Sequence, residues 1–291
     1  MKIMIIGADG QLGTDLCRVV PRGEQIPLTI RDLDVTDRQQ VGAVLQRYRP
    51  DVVINTAGYV RVDDCEDHET TAFAVNAIGA KYLANACREI DAALVQLSTD
   101  YVFDGTKNAP YEETDPTNPQ SVYGISKLAG ESCVRYLLDK YYIVRSCGLY
   151  GQAGCLGKGG GNFVENVIKR AAAGSELAVV TDEIVIPTYT LDLAAKIDQL
   201  IRTGRYGLYH IVNHGQCSWY DFAARIFELL GRPVTIKQVR SADYPSKARR
   251  PRYSVLKNAR LAALGLDDLR PWPEALLAYL TAAGHRGGKG K

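Results

Sequence analysis

A tyrosine and a lysine lie four residues apart where a helical pattern begins, as Tyr123 and Lys127 in SVYGISKLAGES. Residues at this spacing share one face of a helix, so the phenol and the ammonium can meet. A lysine charge close to a phenol favours the phenolate, which would let Tyr123 give up and recover a proton. The same pair could equally be a solvated surface contact. It indicates acid–base chemistry if a reaction centre lies beside it.

The elements that would position this pair alternate between strand and helix. Helical segments separate five β-rich runs, at residues 2–6, 25–30, 51–58, 92–100 and 141–151. Thr36 is the expected N-cap of the second helix, and a long segment at 67–89 reads as helical. Such alternation predicts an α/β protein with a Rossmann-type, doubly wound parallel sheet. Ligands of these sheets bind beyond the carboxyl ends of the strands.

Three glycines follow the first β-rich run, in the stretch GADGQLG (7–13). The first permits a tight turn, the second lets backbone N–H groups approach a pyrophosphate, and the third allows close packing of helix on strand. The start of the following helix adds a field that favours phosphate. The G-x-x-G-x-x-G spacing could also serve a plain turn, but its context favours a dinucleotide site. The predicted contacts are Gly7, Gly10, Gln11, Leu12 and Gly13.

The identity of the dinucleotide depends on the end of the second β-rich run. Arg31 comes directly after it, and Asp32 and Asp34 follow. A guanidinium suits the 2′-phosphate of NADPH, whereas a carboxylate suits the ribose hydroxyl of NADH. Arg31 tilts the prediction towards NADPH, and either cofactor is retained as an expectation.

A nicotinamide cofactor gives Tyr123 and Lys127 a reaction to serve. Hydride delivered to a carbonyl carbon creates an alkoxide, and the alkoxide needs a proton. The free pKa of tyrosine, about 10, makes that proton costly to cycle at neutral pH unless a cation such as Lys127 is near. A neighbouring hydroxyl could hold the carbonyl oxygen. Ser98 and Thr99 end the fourth β-rich run, where such a group would have to lie.

Composition excludes several other classes of protein. The 291 residues are 46% hydrophobic, which predicts a sizeable core, and the 35 basic and 33 acidic residues give no electrostatic case for nucleic acid. Seven scattered cysteines form no C-x-x-C pair, so we expect reduced thiols rather than a disulfide framework or a zinc site. No window resembles a membrane span, and we expect a cytoplasmic protein. The basic tail HRGGKGK is expected to be a solvated end.

The chain resembles an extended short-chain dehydrogenase/reductase, and within that superfamily the dTDP-4-dehydrorhamnose reductase family. The matching words run nearly from end to end and include GADGQLG, VVINTAGYVRVDDCE, STDYVFDG, YGISKLAGE and YPSKARRPRYSVL. STDYVFDG and the late ARRPRYS are characteristic of the reductases rather than of the whole superfamily. The resemblance implies reduction of the 4-keto group of a dTDP-6-deoxy-hexulose by NAD(P)H.

The resemblance also implies roles for individual residues. Thr99, Tyr123 and Lys127 would form a catalytic triad, and Asp100 and Tyr101 would contact the sugar. The cofactor cleft would be lined, besides Tyr123 and Lys127, by Asn55, Ala57, Gly58, Tyr59, Asp34 and Val35.

The second half is expected to form a smaller lobe that binds the sugar nucleotide. We place the NAD(P)-binding domain at 1–150, with strand returns from about 178–213, and the lobe mainly at 151–291. Asn162 and Ser218 are expected N-caps, and Asn162 is also a predicted substrate contact. An arginine fork binds a diphosphate well, so one arginine of the proline-rich loop at 247–252, with Arg250 the chosen candidate, would bind the ligand's diphosphate.

Four positions depart from the family pattern and bear on which deoxysugar is bound. The usual tryptophan after R-T-S is Gly148 in RSCGLYG, and the usual threonine in A-A-Y-T-x-V-D is Val60. D-Q-x-G-x-P-T becomes DEIVIPT, in which Glu183 replaces the glutamine and Val185 the glycine.

Three further expectations concern metal, assembly and alternative activities. Mg²⁺ is possible through Asp15 with Asp182 or Glu183, and a homodimer is possible. One alternative is an epimerase that retains NAD. A dehydratase is disfavoured because T-D-Y stands where T-D-E would be expected. The other alternative is a non-catalytic regulatory subunit like the β-subunit of methionine adenosyltransferase.

Overall fold

The computed structural model describes residues 1–155, 157, 159–243 and 246–285. The basic tail, apart from His285, lies outside these residues. The strands are β1 (Ile3–Ile6), β2 (Gln25–Leu28), β3 (Val52–Asn55), β4 (Ala93–Thr99), β5 (Tyr141–Ser146), β6 (Leu149–Tyr150), β7 (Leu177–Val180), β8 (Ile184–Val185), β9 (Thr188–Tyr189), β10 (Gly207–His210), β11 (Cys217–Ser218) and β12 (Ile236–Val239).

The helices connect these strands. They are α1 (Gln11–Val19), α2 (Arg38–Tyr48), α3 (Val62–Asp67), α4 (Glu69–Phe73), α5 (Ala80–Glu89), α6 (Val122–Leu137), α7 (Phe163–Ala172), α8 (Thr190–Ile201), α9 (Trp219–Leu230), α10 (Ala259–Ala263) and α11 (Trp272–Ala282). A π-helix spans Ala74–Gly79, and 3-10 turns span Asp100–Val102 and Ser241–Asp243.

A six-stranded parallel sheet forms the centre of the molecule, in the order β10-β5-β4-β3-β1-β2. Along β1, Ile3 and Ile5 belong to one buried cluster, with α1 and α8 residues, while Met4 and Ile6 belong to another, with α2, α5 and α6 residues. Successive side chains of a strand point to opposite faces, so both faces are covered by helices. The predicted doubly wound Rossmann-type fold is confirmed.

The carboxyl ends of the strands line up at one edge of this sheet. Ile6 of β1 pairs in register with Asn55 of β3, and Thr99 of β4 pairs with Ser146 of β5. The segments that leave these strands therefore emerge side by side.

A third, smaller cluster of buried residues holds the later elements together. It contains stacked, tilted and edge-on aromatic rings from four elements, among them Tyr150, Tyr189, Phe222 and Tyr279. β7 pairs with β12 rather than with the central sheet, whereas β10 extends that sheet beside β5. The domain boundary at 150 stays a prediction.

One local prediction is wrong and three are confirmed. The N-cap of α2 is Asp37, which accepts from the N–H groups of Gln39 and Gln40, because Thr36 instead donates its hydroxyl to Asp34. The segment predicted to be helical at 67–89 is helical from Glu69 to Glu89, as α4, the π-helix and α5 in succession, and α3 precedes it. Asn162 caps α7, and Ser218 forms a capping box at the start of α9.

Candidate active site

The glycine turn between β1 and α1 requires glycine for steric reasons. Gly7 has φ +78°, and a Cβ there would lie 2.7 Å from the Thr56 hydroxyl oxygen. A Cβ on Gly13 would lie 2.0 Å from the Gly7 carbonyl oxygen, a contact that the backbone cannot relieve without moving. The structural roles predicted for these two glycines, a tight turn and close packing, are confirmed.

The first turn of α1 leaves backbone donors facing the same edge of the sheet. Gly10 is the N-cap and provides no side-chain cap, so the first N–H groups of the helix are available to a ligand. Leu12 is buried in the core, and any ligand contact it makes would be through its backbone. The Gln11 amide oxygen is buried and has no hydrogen-bond partner among the described residues.

The segment after β2 carries an exposed arginine and an aspartate whose carboxylate is hydrogen-bonded within the segment. Arg31 is exposed. Asp34 accepts from the Thr36 N–H at 2.8 Å and from its hydroxyl at 2.7 Å, and Val35 is buried. The predicted cofactor contacts Asp34 and Val35 thus lie in a turn that is held by its own side chains.

The segment after β3 is held by buried amides. Asn55 donates to Gln96 on β4 at 2.9 Å and accepts from the Ala57 N–H at 3.1 Å. Asn76 accepts from the Tyr59 N–H at 2.9 Å and donates to the Tyr59 carbonyl at 3.1 Å. A predicted cofactor-binding loop is therefore fixed by a residue that the sequence did not single out.

Asn76 can reach this loop because it lies in the π-helix. Its amide also donates to the Ser126 hydroxyl on α6 at 3.0 Å. A Cβ on Gly130 of α6 would lie 2.3 Å from the Asn76 carbonyl oxygen, so the glycine allows the π-turn to pack on α6. π-Turns frequently accompany functional sites. The sequence signal that could have revealed this contact was Gly130, the second glycine in YGISKLAGE.

Thr99 and Tyr123 meet at the carboxyl edge of β4. Burial raises the pKa of the Tyr123 phenol, while a hydrogen bond with the Thr99 side chain lowers it. The start of α6 is fixed by Ser121, which caps the Gly124 N–H, and the Tyr101 ring packs edge-on against Tyr123 with centroids 5.7 Å apart. The predicted hydroxyl and phenol are adjacent.

Lys127 lies one turn further along α6, buried and 5% exposed. Its ammonium donates to the Leu97 carbonyl at 2.6 Å, and a Cβ on Gly58 would lie 3.7 Å from Nζ. Burial lowers the pKa of Lys127 to about 8, and the charge of Glu131 opposes this shift. The lysine is therefore placed between the end of β4 and the predicted cofactor loop.

Glu131 belongs to a buried charge network behind Lys127. Arg145 donates to it from Nε at 2.9 Å and from Nη2 at 2.7 Å, and the Ser98 hydroxyl also donates to it. Glu131 and Arg145 are 1% and 3% exposed. Of the two hydroxyls at the end of β4, Ser98 thus faces this network and Thr99 faces Tyr123.

Asp100, a predicted sugar contact, is directed into the protein and is 3% exposed. It accepts from the Thr99 hydroxyl at 3.0 Å and from the Cys147 thiol at 3.1 Å. Burial raises the pKa of Asp100, and a hydrogen bond with Ser254 lowers it. In this arrangement the Asp100 carboxylate orients Thr99, and its burial leaves little of it open to a sugar.

The remaining predicted substrate contacts differ in accessibility. The Asn162 amide is used inside the protein, where it caps α7 and donates to the Gly151 carbonyl and the Tyr279 hydroxyl. Arg250 is partly exposed and lies close enough to Tyr101 for its charge to lower the pKa of that phenol, which burial raises. Of these two residues, Arg250 lies near Tyr101, whereas Asn162 contacts Tyr279 in the later part of the protein.

Three of the four departures from the family pattern lie in defined local settings. Gly148 has φ +56°, and a Cβ there would lie 3.0 Å from the Ile186 carbonyl oxygen, so a tryptophan at this position would require a different backbone. Val185 pairs with Cys217 in a short antiparallel ladder. Glu183 is buried, which raises its pKa.

A metal site does not follow from the described ranges. No group of three His, Cys, Asp or Glu side chains there is arranged to hold a metal ion. Asp15 instead accepts from Arg18 and Thr190, and Asp182 accepts from Ser241. The seven cysteines are free thiols. Of the helices described, none combines the length and the apolar character that crossing a membrane requires.

A parallel sheet whose carboxyl edge carries a glycine turn and a threonine–tyrosine pair defines a Rossmann-type oxidoreductase of the short-chain dehydrogenase/reductase class. The chain matches the family model described as "RmlD substrate binding domain" over residues 1–284. It belongs to the dTDP-4-dehydrorhamnose reductase family, as the resemblance implied.

Three relatives illustrate this membership. A dTDP-4-dehydrorhamnose reductase of Streptomyces griseus is 40% identical, over 98% of this chain and 95% of its own. A dTDP-4-keto-6-deoxy-D-glucose reductase of Streptomyces niveus is 40% identical, over 94% of each chain. A crystal structure shows the Bacillus anthracis dTDP-4-dehydrorhamnose reductase in complex with NADP. That protein is 38% identical to this chain, and the two structures align with a TM-score of 0.92 over 97% of this chain and 100% of the other.

Proposed function

We propose that the protein reduces the 4-keto group of a dTDP-4-keto-6-deoxy-hexose, such as dTDP-4-dehydro-L-rhamnose or a related deoxysugar, with NADPH or NADH. The observation that carries this proposal is the adjacency of Thr99 and Tyr123 at the carboxyl edge of β4, with Lys127 one turn along α6. The names of the relatives support the sugar nucleotide as substrate.

The residues at the sheet edge fit a nicotinamide dinucleotide. The backbone donors at the start of α1 and the steric need for Gly7 and Gly13 suit a pyrophosphate laid against the turn. The loop from Ala57 to Tyr59 lies beside Lys127 and would line the cleft for the nicotinamide half. These residues, with Asn55 behind them, are the proposed cofactor site.

We assign the cofactor preference to NADPH. The Asp34 carboxylate already accepts two hydrogen bonds from Thr36, whereas Arg31 is exposed at the end of β2. A guanidinium there would pair with a 2′-phosphate. The NADP complex of the Bacillus anthracis relative supports this choice.

In the proposed reaction the reduced nicotinamide supplies hydride to the carbonyl carbon. Tyr123 then donates its phenolic proton to the developing alkoxide. The raised pKa keeps Tyr123 protonated before the step, and the hydrogen bond with the Thr99 side chain offsets part of this rise. The charge of Lys127 lowers that penalty further.

The experiment that tests this function follows NADPH oxidation in the purified protein. Freshly generated dTDP-4-keto-6-deoxy-glucose is supplied with and without a 3,5-epimerase, and Tyr123→Phe is run in parallel. Oxidation that needs the epimerase and disappears in the variant supports dTDP-4-dehydro-L-rhamnose as the substrate. Oxidation without the epimerase keeps the chemistry and changes the sugar. Tight NADPH binding without any oxidation would overturn the proposal and favour a regulatory subunit.

The experiment also addresses the remaining expectations. Release of oxidised cofactor in stoichiometric amounts would distinguish a reductase from an epimerase that retains NAD. A cytoplasmic location and a homodimer stay predictions.

A further inference from the structure

A single carboxylate on α3 gathers hydrogen bonds from a distant loop. Asp63 Oδ1 accepts from the Ser246 hydroxyl at 3.1 Å, from the Ala248 N–H at 3.0 Å and from Arg250 Nη1 at 3.2 Å. Its Oδ2 accepts from Arg250 Nη2 at 2.9 Å. Burial alone would raise the pKa of Asp63, but these donors bring it down to about 2, so the carboxylate is charged at neutral pH.

The arginine in this contact faces the proposed sugar site. Arg250 pairs with Asp63, and its charge also acts on the buried Glu183 and on Tyr101, whose ring packs on Tyr123. Asp63 takes one hydrogen from each Nη atom. In the contacts between described residues, the Nε–H and the second Nη2 hydrogen are not used, and this edge of the guanidinium matches two oxygens of a phosphate.

The helix that carries Asp63 is tied to both halves of the proposed site. It follows the predicted cofactor loop directly, since α3 begins at Val62. One turn after Asp63, Glu66 accepts from the Val122 N–H at 2.9 Å, next to Tyr123. Because α3 contacts both Arg250 and the start of α6, it sets the position of Arg250 relative to Tyr123.

We propose that Asp63 is a positioning residue that orients Arg250 for the diphosphate of the sugar nucleotide. An arginine side chain held at one edge loses its rotamer freedom before the ligand arrives, so less is lost on binding. Asp63 does not itself touch the ligand in this assignment. The inference rests on the proposed function, because it takes the sugar nucleotide as the ligand.

The matched pair of variants is Asp63→Asn and Asp67→Asn. Asp67 pairs with Lys247, so it joins the same helix to the same loop, but it does not contact Arg250. We expect Asp63→Asn to raise the KM for the dTDP-sugar and the Kd for dTDP at least tenfold, with kcat within about twofold and an unchanged Kd for NADPH. Asp67→Asn should change each quantity less than twofold.

A double-mutant cycle with Arg250→Gln separates positioning from general support of the fold. If Asp63 acts through Arg250, Asp63→Asn should add less than twofold to the dTDP Kd of Arg250→Gln. A full additional effect, or an equal loss of NADPH affinity, would overturn the inference, as would wild-type dTDP affinity in Asp63→Asn. Thermal unfolding of each variant shows whether the fold is intact.

The two proposals fail in different ways. A wild-type protein that neither binds dTDP nor oxidises NADPH with the keto-sugar refutes the proposed function and, with it, this inference. A wild-type protein that does both, beside an Asp63→Asn variant with unchanged KM, refutes the inference alone.

Discussion

The substitution Asn76→Ala tests whether the π-helix holds the cofactor loop in place. It removes three hydrogen bonds, to the Tyr59 N–H at 2.9 Å, to the Tyr59 carbonyl at 3.1 Å and to the Ser126 hydroxyl at 3.0 Å. At a net worth of about 1 kcal/mol each, their loss should lower the free energy of unfolding by about 3 kcal/mol. Urea denaturation of the protein without ligands measures this loss.

The effect on cofactor binding follows from the same bonds. With Asn76 removed, Gly58 and Tyr59 would have to be ordered when NADPH binds. Ordering one residue costs about 1–2 kcal/mol, and a loss of about 2 kcal/mol corresponds to a Kd for NADPH raised about 30-fold. The quenching of tryptophan fluorescence or the change in nicotinamide fluorescence gives this Kd directly.

Ser126→Ala is the control for this prediction. It removes the Ser126 contact with Asn76 but leaves both hydrogen bonds between Asn76 and Tyr59. We expect a loss of about 1 kcal/mol in stability and a wild-type Kd for NADPH. An Asn76→Ala protein that binds NADPH within threefold of wild type and loses less than 1 kcal/mol of stability would refute the reasoning.

Three further substitutions probe the turn, the buried charges and the pH response. Gly13→Ala places a methyl group 2.0 Å from the Gly7 carbonyl oxygen; the turn must shift, and the affinity for NADPH should fall by about 2 kcal/mol or more, which titration measures. Glu131→Gln leaves the 3%-exposed Arg145 without its counter-charge, and urea denaturation should show a loss of about 3–5 kcal/mol. Burial and the charge of Arg145 lower the pKa of His210 to about 3, whereas an unfolded histidine has a pKa of about 6.5. Between the two pKa values the unfolded chain therefore binds one more proton than the folded one, and the free energy of unfolding falls on acidification by up to about 1.4 kcal/mol per pH unit. Denaturation at pH 6 and pH 5 should show this slope in the wild type and a shallower one in His210→Gln.

Several features that the sequence predicted correctly depend on neighbouring residues. The glycine turn is a local constraint, since a Cβ on Gly13 would meet Gly7 six residues earlier. The alternation of strand and helix needs only the periodicity of apolar residues within each segment. Asn162 and Ser218 were predictable as caps because each accepts from an N–H group three residues ahead.

The features that the sequence did not reveal depend on contacts between distant segments. Asp63 and Arg250 are 187 residues apart, and their pairing exists only once α3 and the late loop meet. The π-helix departs from the 3.6-residue period on which helix prediction relies, so the sequence predicted a helical segment at 67–89 but not the π-helix within it. Thr36 was a reasonable N-cap by residue type, but Asp34 binds its hydroxyl.

The buried network behind α6 explains how the site can keep both a protonated phenol and a charged lysine. Burial favours the neutral form of each, because it raises the pKa of Tyr123 and lowers that of Lys127. The first shift suits a proton donor before the reaction, but the second would remove the cation that stabilises the phenolate afterwards. Glu131 opposes the second shift, and two hydrogen bonds from Arg145 hold Glu131 in place. The pair of Glu131 and Arg145 therefore contributes to the proposed chemistry as well as to the packing of α6 on the sheet.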